Sequence, residues 1–581
     1  MANLASSAGA EPSVPNGDLT MIQVAPPEAD VAQGVSEQPS AFPSSQGSPT
    51  SRRSRWREGG SVQAALGFAT VTAESGISDS VPSRSRADEL INVDELVSPG
   101  WLSRLGCRRR RRKLACIEAA EDRAISVGQL ENLLAYVDHH CDKEGWTSSN
   151  PTTTDLKLNS NMIDFYDVVH WVVKPATKTD CCSYVELVAT DKQASSWFVS
   201  HWWGQPMKLF VACLRQHQRD RGSNLAGKHE ARYFYWVCAY ANNPWTESNG
   251  LGDSCQSSFR RAIENSLGTV TIVDDTAMMF SRIWCSYEIF LALATNRGAP
   301  RYLYDVYTAL DVENSVGITD GLLEGEGQRD KRDREEAFPF WLILAGLDVE
   351  VAKAVASQEQ DRRRILNSIA DIGDLDARPP DSHANFDRVN RLIRSRFACI
   401  GISNAATKDV ADRLSKQISE SGIDSLALDL AFLKYDDLAL GLLRAALPVQ
   451  LRHLDVHWPF SKMGSDLGFG LAEAILGTSH LTNLSLNLIC SGLGDEPGVA
   501  LIKAVASLKH IEQLHLELSK NKLGDDFVEV FVGMIRRMAV LRRVRVSLFD
   551  NQFGDKGKKS LRALQNELQG RPSVQYWVLQ C

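Results

Sequence analysis

The chain lacks any apolar run long enough to cross a bilayer, since the longest, Phe338 to Leu347, is about half of the ~20 residues a spanning helix needs. It also lacks CxxC and HExxH spacing, and its 12 cysteines are scattered, so neither structural zinc nor a disulfide framework is expected. No metal site is anticipated. Free thiols and the expected absence of a signal peptide point to a reducing setting, intracellular and cytoplasmic. The GxxxxGK[ST] phosphate loop is missing too, which argues against nucleotide-driven switching. An excess of positive charge is equally absent: 64 basic against 72 acidic residues leaves −8, so nucleic acid is not the expected partner. Residues 1–100 have few aromatics and no sustained period, and their Ser, Pro, Ala and Gly content predicts a disordered tail.

What is present is a chain of 581 residues with a hydrophobic fraction of 43%, enough for several cores. Two basic clusters break the even charge balance, Arg52 to Arg57 and the run Arg108, Arg109, Arg110, Arg111, Arg112 and Lys113, the second near Trp101, Leu102 and Leu105. Such a run suits an anionic membrane surface, a nuclear address or a docking partner, and is equally a solvated charge run.

From Ser126 the spacing turns helical through Leu130, Leu133, Leu134 and Val137, with a second run over Met162 to Val173 before Pro175. Nine of the 13 tryptophans fall between Trp146 and Trp341, which puts a large aromatic core or cleft in that stretch. There, strands over Ser196–Ser200, Tyr233–Ala239, Thr269–Val273 and Arg301–Val306 alternate with helices from Met207, from Phe259 and over Ile283–Ala294. This alternation predicts a parallel α/β sheet, whose ligand crevice lies at the carboxyl ends of the strands. The charged insert Gly321 to Phe338 is expected as an exposed loop or an extended surface helix, with helical patterns again over Val349–Ala370 and Phe386–Ile400.

The last third repeats with a period of 30 residues. Leu451, Leu481, Ile511 and Leu541 open LxxLxL-like units, continued by Leu454, Leu484, Leu514 and Val544 and by Val456, Leu486, Leu516 and Val546. Gly464, Gly494, Gly524 and Gly554 recur in register, followed in three units by Asp495, Asp525 and Asp555. Looser copies at Ile423 and Val574 bring the count to about six, above the three or so a stable stack needs. A strand, a turn and a helix per unit predict an α/β solenoid with a concave strand face. His453, His457, Ser485, Asn487, His515, Glu517, Arg545 and Ser547 alternate with the buried positions and are expected to line that face, as a partner-binding surface. The expected bounds are a tail over 1–100, the basic cluster and a helical lead-in over 101–195, an α/β domain over 196–310, the insert and a helical connector over 311–415, and repeats over 416–581.

The repeats from Ile423 to Leu579 resemble leucine-rich repeats of the ribonuclease-inhibitor-like type. The central region, through WFVSHWWG (Trp197 to Gly204) and SRIWCSYEI (Ser281 to Ile289), resembles a Toll/interleukin-1 receptor (TIR) domain, which implies a flavodoxin-like parallel sheet. The same block, with YWVCAYANN (Tyr235 to Asn243), is similar to one found in proteins of unicellular algae. These resemblances imply a sensor or scaffold that binds protein partners through the repeat arc and self-associates through the TIR-like domain.

Some TIR domains cleave NAD, and Glu288 matches the position of their catalytic glutamate. The alternative function is therefore an NAD glycohydrolase, with NAD as substrate and no resident cofactor. A fixed carboxylate stabilises the ribosyl cation that forms when nicotinamide leaves. Ser200, His201, Asn242, Trp245 and Trp284 would then contact substrate, and the loop Asn242 to Ser254 would gate the site. The plainer readings are a salt-bridged Glu288, core roles for Trp284 and Cys285, and a hydrogen-bonded structural His201.

Overall fold

Short apolar segments buried at every position are the mark of strands covered on both faces, and WFVSH and GTVTI are of this kind. In the computed structural model they form the middle of a six-stranded sheet. The structure describes residues 114–222, 233–245, 254–294, 301–405, 407–431, 433, 436–569 and 576–580. The tail over 1–100 and the run Arg108 to Lys113 lie outside the described residues.

The strands are β1 (Ile125–Ser126), β2 (Trp197–His201), β3 (Phe234–Trp236), β4 (Gly268–Ile272), β5 (Leu303–Ala309) and β6 (Ser315–Ile318), in the order β1-β3-β2-β4-β5-β6. The four central strands are parallel, and the edge strands β1 and β6 run antiparallel to their neighbours. The sheet thus takes strands from both sides of the expected 196–310. The segment expected as a strand over Tyr233–Ala239 is one only as far as Trp236, because Val237 turns the chain into a short helix, Cys238–Ala241, by accepting from Tyr240 and Ala241.

Helices α1 (Val127–Glu144), α2 (Met207–Gly222), α3 (Ser254–Asn265) and α4 (Ile283–Ala294) cover the two faces. Alternate strand residues point to opposite faces. Trp197, Val199, Val270 and Tyr307 pack with Leu130 and Leu133 of α1 and Phe210 of α2, while Phe198, Val306 and Phe259 pack with Ile283 and Ile289 of α4. A reciprocal box of Ser126 and Gln129 starts α1 by bonding backbone N–H groups that the helix itself cannot satisfy.

The connector contains α5 (Gln328–Glu335), α6 (Phe340–Leu347), α7 (Glu359–Ile369), α8 (Ala384–Asn404) and α9 (Lys408–Glu420). A second sheet follows, of β7 (Ser425–Asp429), β8 (His453–His457), β9 (Asn483–Asn487), β10 (Gln513–Glu517), β11 (Arg543–Ser547) and β12 (Tyr576–Gln580). All six are parallel and neighbours in chain order. Each of the first five is followed by a helix: α10 (Asp436–Ala446), α11 (Ser465–Leu476), α12 (Asp495–Ser507), α13 (Asp525–Arg537) and α14 (Asp555–Gln569). The pairing keeps the 30-residue offset from β8 to β11, so that Leu454, Leu484, Leu514 and Val544 lie side by side.

The recurring Gly–Asp pair has a definite task. Asp495 Oδ1 accepts from the backbone N–H groups of Gly524 (2.8 Å) and Phe527 (2.9 Å) in the next unit, and Asp525 Oδ1 accepts from Gly554 (2.8 Å) in the one after. A side chain at Gly524 or Gly554 would meet that carboxylate at 2.9 Å. Asn521 ties neighbouring units as well, accepting from Ser491 and Leu493 and donating to the carbonyls of Leu488 and Leu518. Phe460, Cys490, Lys520 and Asp550, again 30 apart, all take left-handed backbone at φ of 57–58° as the chain leaves the strand.

The charged insert, expected as an exposed loop or an extended surface helix, does carry a helix, and part of it is buried. Its helix α5 turns a polar face inward, where the Arg332 guanidinium donates to the carbonyls of Asp429 (2.7 Å), Ala431 (2.7 Å) and Ser403 (3.1 Å). Glu335 is buried and accepts from the Thr319 N–H beyond β6 at 2.8 Å. The cause lies at β7, whose outer edge presents backbone groups that need partners. Replacing Asp495 with Ala removes two such bonds at one joint and is expected to cost about 1–3 kcal/mol in urea unfolding. An unchanged midpoint and slope would contradict this account of the repeat.

Candidate functional site

Two places gather side chains with chemistry to offer. The first is the carboxyl edge of the six-stranded sheet between β2 and β4, where the strand order reverses direction and crevices commonly form. Ser200, the last residue but one of β2, donates there from Oγ to Glu288 Oε2 at 2.6 Å. Cys285, on the same helix, points its thiol at the carbonyl of His201 (3.5 Å), and Trp203 donates to the Cys238 sulfur at 3.3 Å.

This cluster is buried. Glu288 is only 7% exposed, and burial pushes its carboxyl up to about 8, with the Ser200 bond pulling the other way. Near neutrality the group is mostly protonated. Burial also raises the thiols, Cys238 to about 12 and Cys285 well above its usual range, so neither is an activated nucleophile. His201 is buried against Phe165 and Phe210, with ring centroids 4.2 and 4.7 Å away, and burial lowers it to about 4. Its Nδ1 faces the Trp202 carbonyl at 3.3 Å, and its ring makes no pair with the Cys285 thiol, which goes to the backbone instead.

The other residues implied for a substrate site have separate partners. Asn242 donates to the Cys238 carbonyl at 2.9 Å, closing its own short helix. Trp245 Nε1 donates to Thr177 Oγ1 at 2.8 Å, and Trp284 leans on Phe259 with its Nε1 3.5 Å from Asp361. Ser200 and Glu288 are in contact, and these three have partners of their own. The loop after Trp245 falls outside the described residues over 246–253.

A buried charge network at the other end of the same sheet gave no local signal in the sequence. His217 and Arg221 of α2 both reach Asp305 of β5: His217 Nε2 at 3.2 Å, and Arg221 through two bonds of 2.8 and 2.6 Å. Tyr235 OH lies 2.9 Å from His217 Nδ1, and the Asp320 N–H donates to Asp305 at 2.7 Å. These bonds hold the Asp305 carboxyl far below the usual range despite full burial. The group sits beside Trp197, where β2 begins, and joins α2 to the sheet.

The second place is the strand face of the repeats, a concave cavity of about 750 Å³. Leu454, Leu484, Leu514 and Val544 point inward, and the residues between them stand outward in register across the sheet. His453, Ser485, His515 and Arg545 line the cavity. His457, Asn487 and Glu517 belong to the next row, towards the strand ends, where Asn487 Nδ2 lies 3.0 Å from His457 Nδ1 and Glu517 accepts from the Ser519 N–H. Ser547 departs from that row, being buried and bonded to Ser519 at 2.8 Å.

Asp455, Asn483, Gln513 and Arg543 line the same cavity and were not singled out from the sequence, although they share the same 30-residue register. Burial and the neighbouring Arg545 lower His515, against the pull of Asp455 and Glu517. Among the described residues no group of three or more His, Cys, Asp or Glu side chains could hold a metal ion.

No protein-family model matches the chain, and no curated protein matches it. Among the described residues no helix is long and apolar enough to cross a membrane, and nine cysteines are free thiols.

The Glu288 geometry has a pH consequence. The folded protein holds a proton there that the unfolded chain releases near 4.5. Its contribution is full below that pH, declines as pH rises towards about 8, and is constant above. Glu288→Gln is expected to flatten this slope and to make the protein more stable than wild type above pH 8. Urea midpoints of both proteins from pH 5 to 9 check this, and parallel curves would refute it.

Proposed function

We propose that this protein is an interaction protein, a sensor or scaffold whose leucine-rich-repeat-like solenoid recognises a protein partner. The observation that carries the reading is the concave cavity lined by polar and charged side chains set in register rows over a buried apolar layer. Open, polar, periodic concavities of this kind suit an extended protein surface. The flavodoxin-like strand order 3-2-4-5 of the parallel core agrees with a TIR-like domain, whose role here would be self-association. Free thiols suit a reducing compartment such as the cytoplasm.

The NAD-cleaving alternative draws little support from this geometry. Stabilising a ribosyl cation needs an ionised carboxylate open to the sugar. Glu288 is buried and mostly protonated near neutrality, and Trp245 and Trp284 are engaged elsewhere.

A photo-crosslinking residue placed at Gln513, on the concave face, is expected to form adducts that one at Lys503, on exposed helix surface, does not. The partner, identified by mass spectrometry and purified, is then expected to bind full-length protein about tenfold or more weakly when Ser485→Trp fills the cavity. Equal binding by a folded Ser485→Trp protein would reject the reading.

A further inference from the structure

The rows of the concave face differ in charge from one end to the other. The first outward row reads Ser425, His453, Asn483, Gln513, Arg543, and the second reads Ala427, Asp455, Ser485, His515, Arg545, each set paired directly across adjacent strands. Negative charge in these two rows is confined to Asp455, towards the first strands, and positive charge gathers on β11. Arg543 and Arg545 are two apart on one strand, so they leave the same face about 7 Å from each other. His515 faces Arg545 across the strand pair, about 4.8 Å away in backbone spacing.

Several arginines elsewhere in the repeats have acidic partners. Arg542 pairs with Glu512, Arg536 with Glu567 and Arg444 with Glu473. Arg543 and Arg545 are exposed, stand in the cavity wall, and among the described contacts have no acidic partner. The acids nearest in the rows are Glu517, whose Oε1 already accepts from the Ser519 N–H, and Asp455, three strands away. A pair of planar forks with no acidic partner among the described residues, at the wall of a concave site, is a receptor for carboxylates.

We infer that the partner segment seated on this face is acidic, with Asp or Glu side chains held between Arg543 and Arg545 beside His515, and that Asp455 sets its direction by repelling the acidic end. This deepens the reading of the concave face as a partner site and rests on it. The charge arrangement selects orientation as well as sign. A segment laid the opposite way puts its carboxylates against Asp455 and leaves two arginines facing neutral groups.

The test uses full-length protein and fluorescein-labelled oligoglutamate, with oligolysine and inorganic tripolyphosphate as comparators, read by fluorescence anisotropy. Oligoglutamate is expected to bind, and more weakly as salt rises. The double substitution Arg543→Gln with Arg545→Gln, at exposed positions that leave the fold intact, is expected to weaken it about tenfold or more. Asp455→Asn is expected to strengthen it. Oligolysine should not bind.

Undiminished binding by the double variant overturns the inference, as does failure of oligoglutamate to bind at all. Tripolyphosphate that competes as well as free oligoglutamate overturns it too, because the site would then take any anion. Loss of oligoglutamate binding in Ser485→Trp but not in the double variant overturns the arginine pairing and leaves the partner-binding reading standing. If adducts form from Gln513 while oligoglutamate fails, the chemistry assigned here is wrong and the face is still a partner site. If neither is seen, both fall.

Discussion

The carboxyl-terminal half depends on one constraint, the 30-residue register that holds β8 to β11 side by side. Once backbone pairing fixes that offset, every residue inherits the environment of its counterparts in the neighbouring units. Leucines stack on leucines, and Asp495 and Asp525 each meet the start of the next unit's helix. The outward rows receive whatever the core does not need, which leaves them free to carry recognition. A deletion of one residue within a unit would therefore displace a whole row to the wrong face.

The six-stranded sheet divides its polar residues by end. At the strand beginnings, Asp305 is satisfied by Arg221, His217 and a backbone N–H, so the buried charge is compensated and locks α2 in place. At the carboxyl edge, Glu288 has Ser200 alone as its named partner and is kept neutral instead. Two buried carboxyls in one domain thus reach opposite protonation states at pH 7, because one has cationic partners and the other has only a hydroxyl.

Much of this was legible in the sequence where the signal is local and periodic. The parallel strands at Trp197, Thr269 and Leu303, the helix over Ile283–Ala294 and the outward positions His453, Ser485, His515 and Arg545 all follow from apolar spacing. Three things did not. The network of His217, Arg221 and Asp305 joins residues more than 80 apart, and no motif marks it. The left-handed turns at Phe460, Cys490, Lys520 and Asp550 carry neither glycine nor asparagine, the residues that usually mark such backbone. The charged insert read as solvated because composition cannot distinguish a cation facing water from one facing carbonyl oxygens, as Arg332 does.

That last contact has a consequence for assembly. A sheet of similar parallel units is a template for its own extension, and its outer strands are where another chain would add. At β7 that edge is already occupied: Arg332 and Ser403 take the Asp429 carbonyl, and the Cys399 sulfur accepts from the Ala427 N–H. A second molecule cannot stack onto the repeat from this side without first dislodging α5 and α8, so the connector works as a stopper against runaway strand addition.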